Sequence, residues 1–333
     1  MPPPPPPKTH TVKQRIRAIK NIGKITKAMK MVAASKMRNA QVAVENSRGV
    51  VEPFVRLFGD FPAYDPTRTV TVAVTSDRGL CGGLNSSITK YTRALLKMYT
   101  GSAGSAGAGG GEGAPASSAG GGVQQTVVTI GDKGRSQLSR VEPELLALSF
   151  ADTYKTRVTF AQASVLAEEV LKASAWAPGA GGGAAAAGGG GAPAAGGAAA
   201  PPPDAVRVLF NKFGSAISFK PTVATILSPA AVERQMTTDT GSKLDAYELE
   251  AAGEKADALQ DLVELQLAAT LFNAMLENNC SEHGSRMSAM ENSTKSAGEM
   301  LGALTLKYNR DRQATITTEL IEIIAGASAL MDS

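Results

Sequence analysis

Two cysteines, two histidines and a single tryptophan are all that this chain of 333 residues holds of those types. Cys81 and Cys280 stand about 200 residues apart, which excludes a disulfide framework and any cysteine-rich zinc module. His10 and His283 leave little from which to build a histidine metal site or a catalytic triad. No run of 18 apolar residues occurs, so no segment reads as membrane-spanning. The phosphate-loop spacing (Gly, four residues, Gly-Lys, then Ser or Thr) is absent throughout, which removes the commonest nucleotide-binding signature. The N-terminus has neither a secretory signal nor an Arg/Ser-rich amphipathic transit segment. Sixteen aromatics are few for a large globular core and suit an elongated helical protein better.

Glycine, by contrast, is abundant but concentrated. Of 35 glycines, ten lie in residues 101–122 and ten in residues 178–203, amid Ala, Ser and Pro. Such tracts bury too little apolar surface to offset the entropy of ordering and are expected to be flexible. The run Pro2–Pro7 is expected to be disordered as well, leaving roughly 280 residues able to fold.

Net charge is only +4, yet its distribution is lopsided. Residues 8–50 carry eleven Lys/Arg against one acid, Glu45, whereas from Glu254 onward twelve acids face six bases. Apolar residues recur at Val12, Ile16, Ile19, Ile22, Ile25, Met29 and Val32, and continue as Ala33, Met37, Ala40 and Val44. Steps of three and four mark one face of a helix. With no proline from Lys8 to Glu52, the spacing predicts a helix of roughly 40 residues, about 60 Å long. After Pro229 the chain has no further proline, and from about Leu249 it reads as helix for some 80 residues, on the order of 120 Å. Its stripe runs Ala297, Leu301, Leu304, Tyr308, then Ile316, Leu320, Ile323, Ala327, Leu330. The step from Tyr308 to Ile316 breaks the heptad and is expected to alter supercoiling there. A basic and an acidic helix of such length suit an antiparallel pair.

Between the two helices the pattern alternates. Thr69–Val74 reads as a strand, Asn85–Met98 as a helix, Gln125–Ile130 as a strand with a short helix to Arg140, Val158–Ala173 as a helix, and Arg207–Phe210 and Pro221–Leu227 as strands. A small, mostly parallel sheet of Rossmann-like α/β type follows from that order. The expected division is a proline run at 1–7, a long N-terminal helix at 8–60, an α/β domain at 68–230 and a long C-terminal helix at 245–333. Both glycine tracts join a helix to the following strand and so belong to one edge of the sheet.

Three local features could carry chemistry. Thr75–Asn85 (TSDRGLCGGLN) sits between a strand and a helix, where phosphate-cradling loops are found. It does not match GxGxxG, and a turn with close-packed glycines is the simpler reading. Cys280 and His283 stand three apart on one helix face beside Glu282. Two ligands do not make a zinc site, and a packed thiol fits better. Gly131–Arg135 resembles an anion-binding nest but reads equally as a solvated turn. The basic helix could meet nucleic acid or anionic lipid. No aromatic for base stacking occurs in residues 8–50, and the apolar stripe has a long partner helix to meet.

Four segments together are more specific. Arg15–Met37 (RIRAIKNIGKITKAMKMVAASKM), Thr75–Asn85, Arg286–Asn292 (RMSAMEN) and Arg312–Ala327 (RQATITTELIEIIAGA) resemble, in order, the gamma subunit of rotary ATP synthases, with a mitochondrial-like wording. The resemblance spans nearly everything except the proline run and the glycine tracts. It implies a non-catalytic central-stalk rotor. An antiparallel coiled coil of the terminal helices would enter a hexamer of alpha and beta subunits, and the α/β domain would lie beside small central-stalk subunits (delta and epsilon) and the c-ring. Proton-driven rotation would thereby be coupled to ATP synthesis in the beta subunits. By the same resemblance, Met29, Lys30, Arg312, Gln313, Thr317 and Glu319 would contact beta subunits, and Ala325, Ala327, Leu330 and Met331 would turn in the sleeve at the top of the hexamer. It further implies no cofactor or metal, no nucleic acid, and a peripheral place on the matrix side of the mitochondrial inner membrane. The closely spaced regulatory cysteine pair of the chloroplast form is missing, so thiol switching is not expected. Readings of other classes are a coiled-coil scaffold without rotary function and a nucleotide-binding enzyme built on Thr75–Asn85.

Overall fold

The computed structural model describes residues 8–59, 68–101, 124–174, 203–238 and 255–331. The proline run, both glycine tracts and the stretch from 245 to 254 lie outside them. In chain order the elements are α1 (Lys8–Phe58), β1 (Arg68–Val74), α2 (Leu84–Gly101), β2 (Gln124–Ile130), α3 (Asp132–Leu138), β3 (Leu146–Phe150), α4 (Phe160–Ser174), β4 (Ala205–Phe213), β5 (Phe219–Leu227), α5 (Pro229–Thr238) and α6 (Lys255–Met331). They fall into two compact units: residues 36–285, and the early part of α1 with α6 from Arg286 onward.

The larger unit is built on a five-stranded sheet of order β3-β2-β1-β4-β5. β1 runs parallel to β2 and β4, and β2 runs parallel to β3. Only β4 and β5 are antiparallel. β1 is central and buried from Thr69 to Val74, which is why its sequence is a run of β-branched residues rather than an alternation. On one face Val70, Val72, Val74, Val128, Val206 and Val208 meet Val170 and Leu171 of α4 and Leu267, Leu271 and Met275 of α6. On the other, Ala73 and Val127 pack with Ile88 and Leu96 of α2 and Leu138 of α3. Helices on both faces of a mostly parallel sheet make this the expected α/β class.

Several local expectations need correction. β3 has no counterpart in the sequence pattern, because it is short, lies at the edge and has no β-branched residue to carry strand signal. β4 and β5 are longer than the hydrophobic pattern predicted and form a hairpin through Gly214–Ser218. Pro221 sits within β5, which an edge strand tolerates because the missing N–H costs no ladder bond. α3 stops at Leu138 rather than Arg140. α1 continues through Pro53, since Phe54 and Phe58 just beyond it pack into the core and offset the lost hydrogen bond. β2 and β4 flank β1 in parallel, so the strand ends at which residues 102–123 and 175–202 join them lie on one edge.

The smaller unit is an antiparallel helix pair. Gly23 stands against Ala297, its missing Cβ position 3.8 Å from the alanine methyl. The Thr26 and Thr294 hydroxyls meet at 2.7 Å, and Lys30 pairs with Glu291 at 2.6 Å. The buried line on α1 is Val12, Thr26 and Ala33, with Ile16, Ile19, Gly23 and Met29 half-buried. Ile22, Ile25 and Val32, expected in the stripe, are exposed instead. Small residues at the seam let the helices approach closely, which displaces the bulkier isoleucines to the flank.

Gly131 makes the sheet edge testable. It lies at φ +104°, and a Cβ there would sit 2.5 Å from the Thr75 carbonyl oxygen. Gly131→Ala is expected to destabilise the fold by at least about 2 kcal/mol through strain and overpacking, read as a lowered urea midpoint of the chain; an unchanged midpoint would contradict the packing described.

Candidate functional site

In an open parallel sheet a ligand site belongs outside the carboxyl ends of the strands, where strand order reverses. Here that point lies between β1 and β4. The crevice is taken by the chain itself. Asn211 Nδ2 donates to Asn278 Oδ1 at 3.1 Å, the Ser281 hydroxyl donates to the Asn211 carbonyl at 3.1 Å, and the Phe213 N–H donates to Glu277 Oε2 at 2.7 Å. From the β1 side, the Cys81 carbonyl accepts from Ser285 Oγ at 2.5 Å. All four α6 partners lie between Glu277 and Ser285, little more than two turns of helix. A helix is thus seated where a dinucleotide would otherwise lie.

The loop Thr75–Asn85 is satisfied internally. Asn85 Oδ1 accepts from the Ser76 N–H at 3.0 Å and Asn85 Nδ2 donates to Ser76 Oγ at 2.8 Å. The amides that open α3, the supposed anion nest, are already taken. Asp132 N–H donates to Asp77 Oδ1, Lys133 N–H to the Ser76 carbonyl, and Gly134 N–H to Thr75 Oγ1. The Asp77 carboxylate also accepts from the amides of Asp152 and Tyr154. One aspartate therefore ties β1, α3 and the segment after β3 together, acting as the anion that the nest would otherwise recruit. At the loop's tip Leu80 is exposed and adopts φ +62°, an uncommon conformation for a leucine. Its only signal in the sequence is an apolar residue in the turn between Gly79 and Gly82.

The predicted contact residues do not form one cluster. Met29 and Lys30 are half-buried in the helix pair, with Lys30 held by Glu291. Arg312, Gln313, Thr317 and Glu319 lie some 20 residues further along α6 and are exposed, about 30 Å away at a helix's rise. The Thr317 hydroxyl donates to the Gln313 carbonyl at 2.9 Å within the helix. From Arg312 to Ala325 every α6 residue is exposed. The expected pairing of Ile316, Leu320 and Ile323 is thus not found among the described residues; each is at least 46% exposed. The register explains it. Counting from the Thr26–Thr294 contact back to Lys8 exhausts α1 level with about residue 312. Ala325 and Ala327 are likewise exposed; Leu330 and Met331 belong to the same helix.

Residues 8–330 match the profile of the ATP synthase family. A mitochondrial ATP synthase gamma subunit from Ipomoea batatas is 43% identical over 325 residues, covering 97% of this chain and 85% of the relative. The chain belongs to the ATP synthase gamma-subunit family. Among solved structures, a Tetrahymena thermophila mitochondrial ATP synthase central stalk and c-ring contains a chain 28% identical with a TM-score of 0.56, covering 80% of this chain and 98% of that one. A Euglena gracilis mitochondrial ATP synthase contains one with the same fold at 18% identity, TM-score 0.69, covering 97% and 94%. The gamma subunit is a non-catalytic stalk component; ATP chemistry resides in the beta subunits.

For a gamma subunit the Cys280 region is structural. Cys280 is fully buried, its Sγ 4.0 Å from the Met37 carbonyl. Burial, reinforced by nearby Glu277, pushes its thiol up to about 12, whereas a zinc ligand must be a thiolate. Among the described residues no three His, Cys, Asp or Glu side chains gather around a metal-sized space. Because Cys280 stays protonated and enclosed, N-ethylmaleimide at pH 8 is expected to leave it unmodified in the folded chain and to label it after denaturation. Intact mass with peptide mapping checks this, and rapid labelling of the native thiol would refute it.

Proposed function

We propose that this chain is the rotor shaft of a proton-driven ATP synthase, coupling rotation of a c-ring to ATP synthesis in a hexamer of alpha and beta subunits. The observation that carries the reading is the bare end of α6. From Arg312 to Ala325 it offers Ile316, Leu320, Ile321, Ile323 and Ile324 to solvent with 46–68% exposure. An apolar helical tip of this kind is what a surrounding protein sleeve would cover. It also carries few charges, so a ring could hold it without strong directional bonds fixing one angle. Ala325, Ala327, Leu330 and Met331 are assigned to that sleeve.

Torque contacts are assigned to Met29, Lys30, Arg312, Gln313, Thr317 and Glu319. Exposed Ile22, Ile25 and Val32 on α1 extend the first of these surfaces, flanked by exposed Arg15, Lys20, Lys24 and Lys27. Acidic loops on the beta subunits would feel this charge within about 10 Å, giving three chemically identical subunits different environments at each shaft angle. The α/β unit is assigned to the small central-stalk subunits, delta and epsilon, and to the c-ring. The likeness to mitochondrial relatives supports a place on the matrix face of the inner membrane. No described helix is long and apolar enough to cross a membrane, which agrees with peripheral attachment.

The test is co-purification from mitochondria: alpha, beta and c-ring subunits are expected with this chain, and their absence would refute the assignment. Within such a complex, Ala297→Pro should uncouple strongly, because proline removes a helix hydrogen bond and kinks the pair where Ala297 packs on Gly23, at a cost of about 3 kcal/mol or more. Gln313→Ala and Thr317→Ala should each remove a polar contact worth roughly 1 kcal/mol and leave assembly intact. Protons pumped per ATP hydrolysed, measured beside the yield of complex, separate the two. Normal coupling in the proline variant would refute the rigid shaft.

A further inference from the structure

β4 outruns its neighbour. Pairing with β1 ends at Ala73↔Leu209, but β4 continues to Phe213, so its last residues have no strand on that side. Backbone groups in a buried strand end must still be paired. Here side chains of α1 and α6 pair them. Glu277 Oε2 accepts the Phe213 N–H at 2.7 Å, while Arg48 Nη2 donates to the Phe213 carbonyl at 2.7 Å. The two side chains are joined to each other, Arg48 Nε to Glu277 Oε1 at 2.6 Å and Nη2 to Oε2 at 3.0 Å. One and four residues after Glu277, Asn278 and Ser281 hold Asn211 by its side chain and carbonyl. A turn earlier, Asn273 accepts from Ser47 at 2.9 Å.

We propose that Arg48 and Glu277, with Asn278 and Ser281, form a torsional clamp that fixes the rotational register of α1 and α6 against the sheet and carries turning force between them. The inference rests on the rotor reading. Its physical basis is the difference between apolar and polar seams. Apolar side chains keep much of their contact when a helix rotates by a few degrees, because the hydrophobic effect is non-directional. A carboxylate with no exposed surface, bound by three N–H donors on two elements, has one satisfied orientation. Rotating α6 would strand it without solvent, and the cost of a buried unpaired charge is far larger than that of a shifted methyl group. A merely stabilising role would not need the pair to grip both the N–H and the carbonyl of one strand residue. These are positioning residues and touch no nucleotide.

The experiment uses assembled synthase carrying Glu277→Leu, Glu277→Gln, Arg48→Met or the exchange R48E/E277R, with three readouts: ATP hydrolysis, protons pumped per ATP against an opposing gradient, and hydrogen exchange of the Phe213 amide. Glu277→Leu is expected to hydrolyse ATP within about twofold of the unaltered complex while pumping at least about threefold fewer protons per ATP, with the Phe213 amide exchanging fast. Glu277→Gln keeps an acceptor for that amide and should recover most of the loss. The charge exchange should not recover it, because an arginine at position 277 cannot accept the Phe213 N–H. Full pumping under load in Glu277→Leu, or full recovery by the exchange, would overturn the clamp. If Glu277→Leu yields no complex, Arg48→Met decides by the same readouts, since it frees the Phe213 carbonyl. If the unaltered chain joins no hexamer, the rotor reading fails, and the clamp fails separately if Phe213 exchange is unchanged by Glu277→Leu in the free chain.

Discussion

The seating of α6 across the carboxyl edge of the sheet is the constraint on which the larger unit depends. Open parallel sheets leave a crevice where strand order reverses, and its exposed backbone groups and loop amides must be satisfied. Most such folds leave that task to a ligand. Here Glu277, Asn278, Ser281 and Ser285 do it. The consequence is double: the sheet has no vacancy for a nucleotide, and the helix gains a fixed orientation.

The same economy operates around Thr75–Asn85. Asp77 supplies the negative charge to three backbone amides, those of Asp132, Asp152 and Tyr154, and Thr75 Oγ1 accepts from Gly134. Gly131 and Gly134 have to be glycine because Thr75 occupies the space of a Cβ at each. A loop that looks like a phosphate cradle in one dimension is an internal brace in three.

How much of this was legible beforehand depends on whether the determining contact is local. The central strand Thr69–Val74 and the helical periodicity of both chain ends are local signals, set by β-branching and by steps of three and four. The opposite charge of the two helices suited a pair, and Lys30–Glu291 and Arg48–Glu277 are basic-to-acidic contacts of that kind. The resemblance in four segments carried the family. What was not legible came from tertiary context. β3 becomes a strand because β2 offers it an edge. Ile22 and Ile25 turn outward because Gly23 and Thr26 provide the closer approach. Nothing in the spacing of Glu277 and Asn278 says that β4 ends beside them. Of the predicted contact residues, the apolar spacing from Ile316 to Leu330 was visible, but whether α1 reached that far depended on register.

Register also explains why the end of α6 must be a single helix. An antiparallel pair is as long as its shorter member, and α1 is spent near residue 312. A lone amphipathic helix of some 20 residues is only marginally stable in water by propensity alone. The proposed sleeve would supply an external surface to bury the exposed Ile316, Leu320 and Ile323. Strong ionic contacts would hold such a segment at one angle; a smooth apolar face surrounded by protein holds it on axis while costing little to turn, because burial changes slightly as it rotates. The paired part of the shaft and the clamp at Glu277 obey the opposite rule, trading freedom for directional bonds. On the proposed rotor reading, non-directional burial would serve the end that turns, and directional hydrogen bonds would hold the part that must not.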